Sequence, residues 1–236
     1  MGNIRHVSFD LWMTLIRSHP SFKTKRAALF RSFFSLEAFP PEKVESVYRE
    51  VDVLINNMNE ITGRNVHTFE MYLLCLHLLG IDIKTVQPDK LEEFYSLSEA
   101  LFFQYPPSHL YEDTTQLLAA LQHQGITTCL LSNTGFIQGR TLRKLMTAWG
   151  WDAYLSFQLY SDETGFSKPD IQMFSLMLDR VSSLHTDLAP AEVWHLGDNQ
   201  LADVKGAQRL GISATLTDIV QNPLNKLLNE RCLCLT

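Results

Sequence analysis

After Tyr105-Pro106-Pro107 the chain settles into a strict alternation of short apolar runs and amphipathic stretches, and this alternation limits the fold more than any other feature. The reading is helix Tyr111–Gln122, strand Ile126–Leu131, helix Thr141–Trp149, strand Ala153–Tyr160, helix Ile171–Val181, strand Val193–Leu196, helix Ala202–Leu210 and strand Ile212–Leu216. Parallel strands need crossover connections, and apolar strands linked by helices bury both faces of their sheet. One further strand, Ile4–Phe9, stands apart at the N-terminus. Between it and the alternating half, the pattern from Arg17 to Tyr105 is almost wholly helical, with helices expected at Phe22–Leu36, Pro41–Asn57, His67–Leu79 and Pro88–Phe103. Phe39-Pro40-Pro41, Thr62-Gly63-Arg64-Asn65 and Gly80 separate them. The expected fold is therefore α/β, a Rossmann-like doubly wound parallel sheet carrying an inserted all-helical cap. The expected division is core 1–16, cap 17–106 and core 107–236, with hinges near Arg17-Ser18 and Tyr105–Ser108.

Bulk properties exclude several partners. A net charge of −6 argues against nucleic acid and anionic membranes. No apolar run spans a bilayer, and the N-terminus lacks the layout of a secretory signal. Cys75, Cys129, Cys232 and Cys234 have no metal-ligand spacing, which fits reduced thiols in the cytoplasm.

In a doubly wound sheet, ligands bind beyond the carboxyl ends of the strands. Asp10, Ser132 and Asp198 each stand at such an end, in Phe9-Asp10-Leu11-Trp12-Met13-Thr14, Leu131-Ser132-Asn133 and Gly197-Asp198-Asn199. Lys168, in Ser167-Lys168-Pro169-Asp170 at the expected start of a helix, can reach the same rim. Carboxylates crowded into one pocket repel and would protonate unless a cation neutralises them. Asp10, Asp198 and Asp203 together therefore suit a hard divalent ion, Mg2+ best of all.

These four segments, in this order, resemble the haloacid dehalogenase-like superfamily of aspartate-nucleophile hydrolases. The resemblance implies that Asp10 attacks phosphorus to give an aspartyl-phosphate, with Thr14 orienting it and Ser132, Asn133 and Lys168 holding phosphoryl oxygens. It also implies that Asp10, the main-chain carbonyl of Trp12 and Asp198 bind the magnesium, while Asp203 steadies the metal shell or Lys168. The implied substrate is a small organophosphate, enclosed by the cap.

The first segment departs from the superfamily's Asp-x-Asp-x-Thr, because Trp12 occupies the position of the general acid/base. Three readings stay open. One is a magnesium-dependent phosphatase, slow because general acid/base help is typically worth ~10² to 10⁴-fold. The second is a 2-haloacid dehalogenase, whose halide leaving group needs no proton; Trp12 suits it and Asp198 opposes it. The third is a weak or inactive binding protein. No residue of the cap is singled out: Arg17, His19, Lys23, Lys25 and Arg26 form a basic cluster, with Arg64 and His67 a second, and solvated helix faces explain both equally well. His195, Trp149, Trp151 and Trp194 read as core residues.

Overall fold

The computed structural model describes residues 3–233, so Cys234 lies outside the described residues. Strands β1 (His6–Phe9), β4 (Thr127–Ser132), β5 (Phe157–Tyr160), β6 (Val193–Gly197) and β7 (Ser213–Leu216) form one sheet in the order β5-β4-β1-β6-β7. All its neighbours run parallel. The chain builds outward from β1 through β4 to β5, then returns to β1's other side for β6 and β7. The switch point thus lies at β1.

The period-two pattern of the strands sorts their side chains onto two helix layers. Val7, Phe9, Leu130, Trp194 and Leu196 share one core with Leu118 and Leu121 of α5 (Thr114–His123) and Leu142 and Met146 of α6 (Gly139–Ala148). Cys129, Leu131 and Val193 share another with Met173, Phe174 and Met177 of α8 (Ile171–Leu184).

Four helices, α1 (Phe22–Phe33), α2 (Pro41–Thr62), α3 (Thr68–Leu78) and α4 (Pro88–Gln104), hold a third core centred on Phe30, Tyr72 and Phe94. They leave and rejoin the α/β layers through a two-strand antiparallel ribbon, β2 (Ile16–Arg17) against β3 (Ser108–His109). At the far end, the turn after α2 meets the loop after the short helix α7 (Ser161–Thr164): Asn65 N–H donates to Gly165 O at 3.2 Å and Ser167 N–H to Gly63 O at 2.9 Å. No described helix is long and apolar enough to cross a membrane.

Several boundaries differ from the sequence reading. The strand expected at Ala153–Tyr160 starts only at Phe157, because buried Trp151 begins a 3-10 turn, Trp151–Ala153, with its indole N–H donating to Thr115 Oγ1 at 2.9 Å. The start of α8 at Ile171 agrees with that reading: the Asp170 carboxylate accepts the Gln172 N–H at 2.8 Å, and the Lys168–Pro169 peptide before it is cis. The helix expected at Ala202–Leu210 starts earlier, as a π-helical turn, Gln200–Lys205, followed by α9 (Gly206–Gln208). Asn199 Oδ1 caps that turn, accepting the Leu201 and Ala202 N–H groups at 2.9 and 3.0 Å. Trp151 and Trp194 are fully buried and Trp149 half-buried.

Candidate active site

Parallel register decides which side chains share the rim. Phe9 pairs with Leu130 on one side and Leu196 on the other, so Asp10, Ser132 and Asp198 leave the sheet within one residue of a common level. The Asp10 N–H still donates to Leu196 O at 2.8 Å, which ties the carboxylate-bearing residue to the sheet. Beyond it the chain makes one tight turn, with Met13 at a φ of 59°, and the Thr14 hydroxyl folds back to donate to Asp10 Oδ2 at 3.1 Å.

Lys168 is fully buried and donates to Asp10 Oδ1 at 2.7 Å and to Asp203 Oδ1 at 2.6 Å. Asn133 holds the lysine's backbone from both sides, its amide donating to Lys168 O at 2.9 Å and its carbonyl accepting Lys168 N–H at 2.8 Å. Asp203 is held as tightly: His195 Nε2 lies 3.1 Å from Oδ1, and Asn199 N–H donates to Oδ2 at 3.0 Å. Burial lowers the His195 pKa despite Asp203 beside it, so the ring is neutral. It donates from Nε2 to Asp203 and accepts at Nδ1 from the Ser8 hydroxyl at 3.0 Å. Gly197 is required by the same packing, since a Cβ there would stand 2.2 Å from Asp203 Cγ.

The charges are unbalanced. Oxygen atoms of Asp10, Asp198 and Asp203 lie within 4.8 Å of one another, against the single ammonium of Lys168. Burial would raise Asp203, yet Lys168 and then His195 keep its carboxyl well below the usual range. Burial also opposes the Lys168 ammonium, but Asp10 and Asp203 raise its pKa above the ordinary lysine value. For Asp10, burial and the neighbouring Asp203 and Asp198 charges outweigh Lys168 and push the carboxyl up to about 7. Asp198, whose residue is exposed at the rim, is raised too, by partial desolvation and by Asp203.

A cavity of about 410 Å³ opens over this centre. Its floor includes Asp10, Trp12, Asn133, Lys168 and Asp198, and its roof includes Phe22, Lys23 and Arg26 of α1 with Asp52, Asn59 and Glu60 of α2. Glu60 Oε1 accepts from Asn199 Nδ2 at 2.7 Å, so roof and floor touch beside Asp198.

Ser132 does not share this cavity. It is fully buried, and its hydroxyl donates to the neighbouring Asn133 carbonyl at 3.1 Å. The two basic clusters also come apart. Arg26 is buried whereas Arg17, Lys23 and Lys25 are exposed; His67 caps α3, and Arg64 lies over the Phe166 ring at 4.8 Å. Three contributors escaped the sequence reading: His195 as the brace for Asp203, Asn199 as cap and contact to Glu60, and Gly197 as the point of close approach. A polar ring inside an apolar strand, two residues before Gly197-Asp198, is the signal that was available for His195.

Residues 4–211 match the model of a family described as haloacid dehalogenase-like hydrolase. The chain belongs to that family. This hydrolase is 30% identical over 220 residues to the ribulose-1,5-bisphosphate 5-phosphatase of Halopiger xanaduensis, covering 90% of this chain and 84% of that one. It is 32% identical over 127 residues to the phosphoserine phosphatase of Thermus thermophilus, a match covering 54% of this chain and 48% of that enzyme. Among solved structures, a HAD phosphatase from Thermococcus onnurineus superposes with a TM-score of 0.61 at 17% identity, covering 93% of this chain and 88% of that one. The L-2-haloacid dehalogenase of Xanthobacter autotrophicus does so with 0.58 at 20% identity, over 96% and 82%. At such identities the structural matches describe a shared fold and leave the reaction open.

Proposed function

We propose that this haloacid dehalogenase-like hydrolase is a magnesium-dependent phosphatase of small organophosphates, working through an aspartyl-phosphate at Asp10. The observation that carries the reading is the surplus of negative charge: three carboxylates with oxygens within 4.8 Å face one ammonium. A hard cation suits such an all-oxygen donor set. Asp203 is almost wholly buried and braced by three donors, Lys168, His195 and Asn199, so Asp10 and Asp198, with the Trp12 carbonyl, are the residues that would hold the ion. Bound there, magnesium would neutralise the site and polarise a phosphoryl oxygen. A haloacid reading needs no metal and gives Asp198 no task. The likeness to two enzymes named as phosphatases points the same way.

In this reading an Asp10 carboxylate oxygen attacks phosphorus and the bond to the alkoxide leaving group breaks. Thr14 keeps the carboxylate rotamer, and Lys168 opposes charge on the transferring group. Water then cleaves the new bond, releasing phosphate and restoring the Asp10 carboxylate. The cap, residues 17–106, would close on the β2/β3 ribbon as its hinge and exclude bulk water, with the Glu60–Asn199 contact marking closure. Trp12 supplies no proton, so the leaving alkoxide takes its proton from solvent and poor leaving groups leave slowly.

Phosphate release from aryl and alkyl phosphates, with and without magnesium, tests the reading. Wild type should hydrolyse aryl phosphates only with magnesium, and Trp12→Asp should accelerate alkyl phosphate hydrolysis by roughly 10² to 10³-fold, within the range of general acid/base help. Chloride release from 2-chloropropionate without any phosphatase activity would replace this reading by the dehalogenase one.

The charge surplus also predicts how the ion acts on stability. Because the native Asp10 carboxyl titrates near 7 rather than 3.8, the folded protein keeps a proton that the unfolded chain has lost between those values. Metal-free stability should therefore fall as pH rises from about 4 to about 7 and change little from this group above that. Magnesium competes with that proton, so the rise in Tm caused by 10 mM magnesium (an amount chosen as roughly saturating) should be small at pH 5 and large at pH 8. Calorimetry showing equal shifts at both values would remove Asp10 from the metal site.

A further inference from the structure

The buried face of α1 carries Phe22, Arg26, Ala27 and Phe30, so a guanidinium occupies a place in the cap's inner stripe where spacing calls for an apolar side chain. Arg26 is 6% exposed and lines the roof of the cavity. Its guanidinium carbon lies 4.5 Å from the ring centre of Phe136, 4.9 Å from Tyr48 and 5.3 Å from Phe22. Aromatic faces favour a cation but supply no hydrogen-bond acceptor in the guanidinium plane. Nε is buried without a hydrogen-bond partner, and among the described residues no carboxylate lies within 4 Å of the group. Asp52, which lines the same cavity, lies 3.8 Å from Lys23 Nζ.

A buried charge without a counter-charge is costly, and ring faces offset only part of that cost. Its unmet donors instead fit an anion entering from the cavity. The guanidinium edge presents two parallel N–H groups, which match two oxygens of one carboxylate or phosphate. Lys168 serves the reacting end of the same cavity, whereas Arg26 is supplied by the roof.

We propose that Arg26 binds a second anionic group of the substrate, a carboxylate or a further phosphate carried by the same small molecule whose phosphoryl group faces Asp10. The proposal rests on the phosphatase reading for its kinetic test, but not for its binding test. Phe136 fixes the position of the guanidinium from the core side, since it follows directly on the Ser132–Gly135 segment. Cap and core therefore assemble the second anion site together, and a substrate lacking the second anion would leave Arg26 unmatched in the closed state.

The kinetic test compares 2-phosphoglycolate, propane-1,3-diol bisphosphate and ethyl phosphate in wild type, Arg26→Lys and Arg26→Met. In wild type, kcat/KM should favour at least one substrate with a second anion over ethyl phosphate. Which of the two is preferred tells a carboxylate site from a phosphate site. Arg26→Met should reduce that ratio by at least about 30-fold, the lower end of what removing one member of a buried charged pair costs. Arg26→Lys, which keeps the charge and loses the fork, should fall between. A preference that survives in Arg26→Met, or no preference in wild type, overturns the proposal. Calorimetric titration with phosphonoacetate and ethylphosphonate separates this outcome from failure of the phosphatase reading. Tighter binding of phosphonoacetate to wild type, lost in Arg26→Met, upholds the second anion site even if no phosphate is ever released; equal binding or none overturns it. Melting curves guard against misfolding. An unmatched buried cation predicts that Arg26→Met melts no lower than wild type, and a Tm well below it would mark Arg26 as mere packing.

Discussion

Lys168→Met should cost the protein about 3–5 kcal/mol of unfolding free energy and nearly all turnover, because it removes one partner from a buried ionic cluster. Asp203 Oδ1 would keep only the bond from His195, and Asp10 Oδ1 would lose its only described hydrogen-bond donor. Both carboxylates are almost fully excluded from water. Urea unfolding measures the loss. Adding Asp203→Asn to Lys168→Met should restore part of the stability, since it removes one of the uncompensated charges, whereas a simple packing defect would not be repaired by that change. If Lys168→Met unfolds within about 1 kcal/mol of wild type, the ammonium is not what holds these carboxylates.

Asp10→Asn should separate activity from stability in the opposite sense. The amide keeps the shape and the contact with Thr14 but cannot form an acyl phosphate, so kcat should fall by at least about 10⁴-fold, as losses of a nucleophile do. At pH 8 the metal-free variant should nevertheless be more stable than wild type, by on the order of 2 kcal/mol, because an ionised Asp10 is destabilised by burial and by Asp203 and Asp198. The gain should shrink toward pH 4, where the wild-type carboxyl is protonated in the folded state and about half protonated in the unfolded one. Residual turnover close to wild type would discard the covalent route. A variant less stable than wild type at every pH would instead mean that the Lys168 contact outweighs the carboxylate repulsion.

Both expectations depend on residues that could be read from the chain and on relations among them that could not. Asp10 and Asp198 were legible because an apolar strand ending in a carboxylate is a local pattern, and Lys168 and Asp203 through their place in the short segments around Lys168-Pro169 and Gly197-Asp198. The ribbon of Ile16–Arg17 with Ser108–His109 was legible only as two breaks in texture, since each strand is too short to show periodicity and their pairing spans the whole cap. Ser132 differs from them: it stands at the strand end as expected, while its hydroxyl donates to Asn133 O and it is not among the residues lining the cavity. Which way a side chain turns at a strand end depends on the neighbouring strand and loop, and local sequence does not encode it.

Arg26 shows where the division falls. Along the chain it is one of several basic residues in a helix, equivalent to Lys23 and Lys25. Only the packing of α1 against Tyr48 of α2 and Phe136 of the core buries it, and only its place in the cavity roof turns that burial into a site. The sequence by itself determined the parallel sheet, the inserted helices and the residues that meet at the rim, because strand periodicity and strand-end chemistry are short-range properties. The tertiary structure alone decided the charge surplus around Asp10, the brace from His195 to Asp203, and the isolation of Arg26. Those are matters of distance and exclusion of water between segments far apart in the chain, and no local pattern records them.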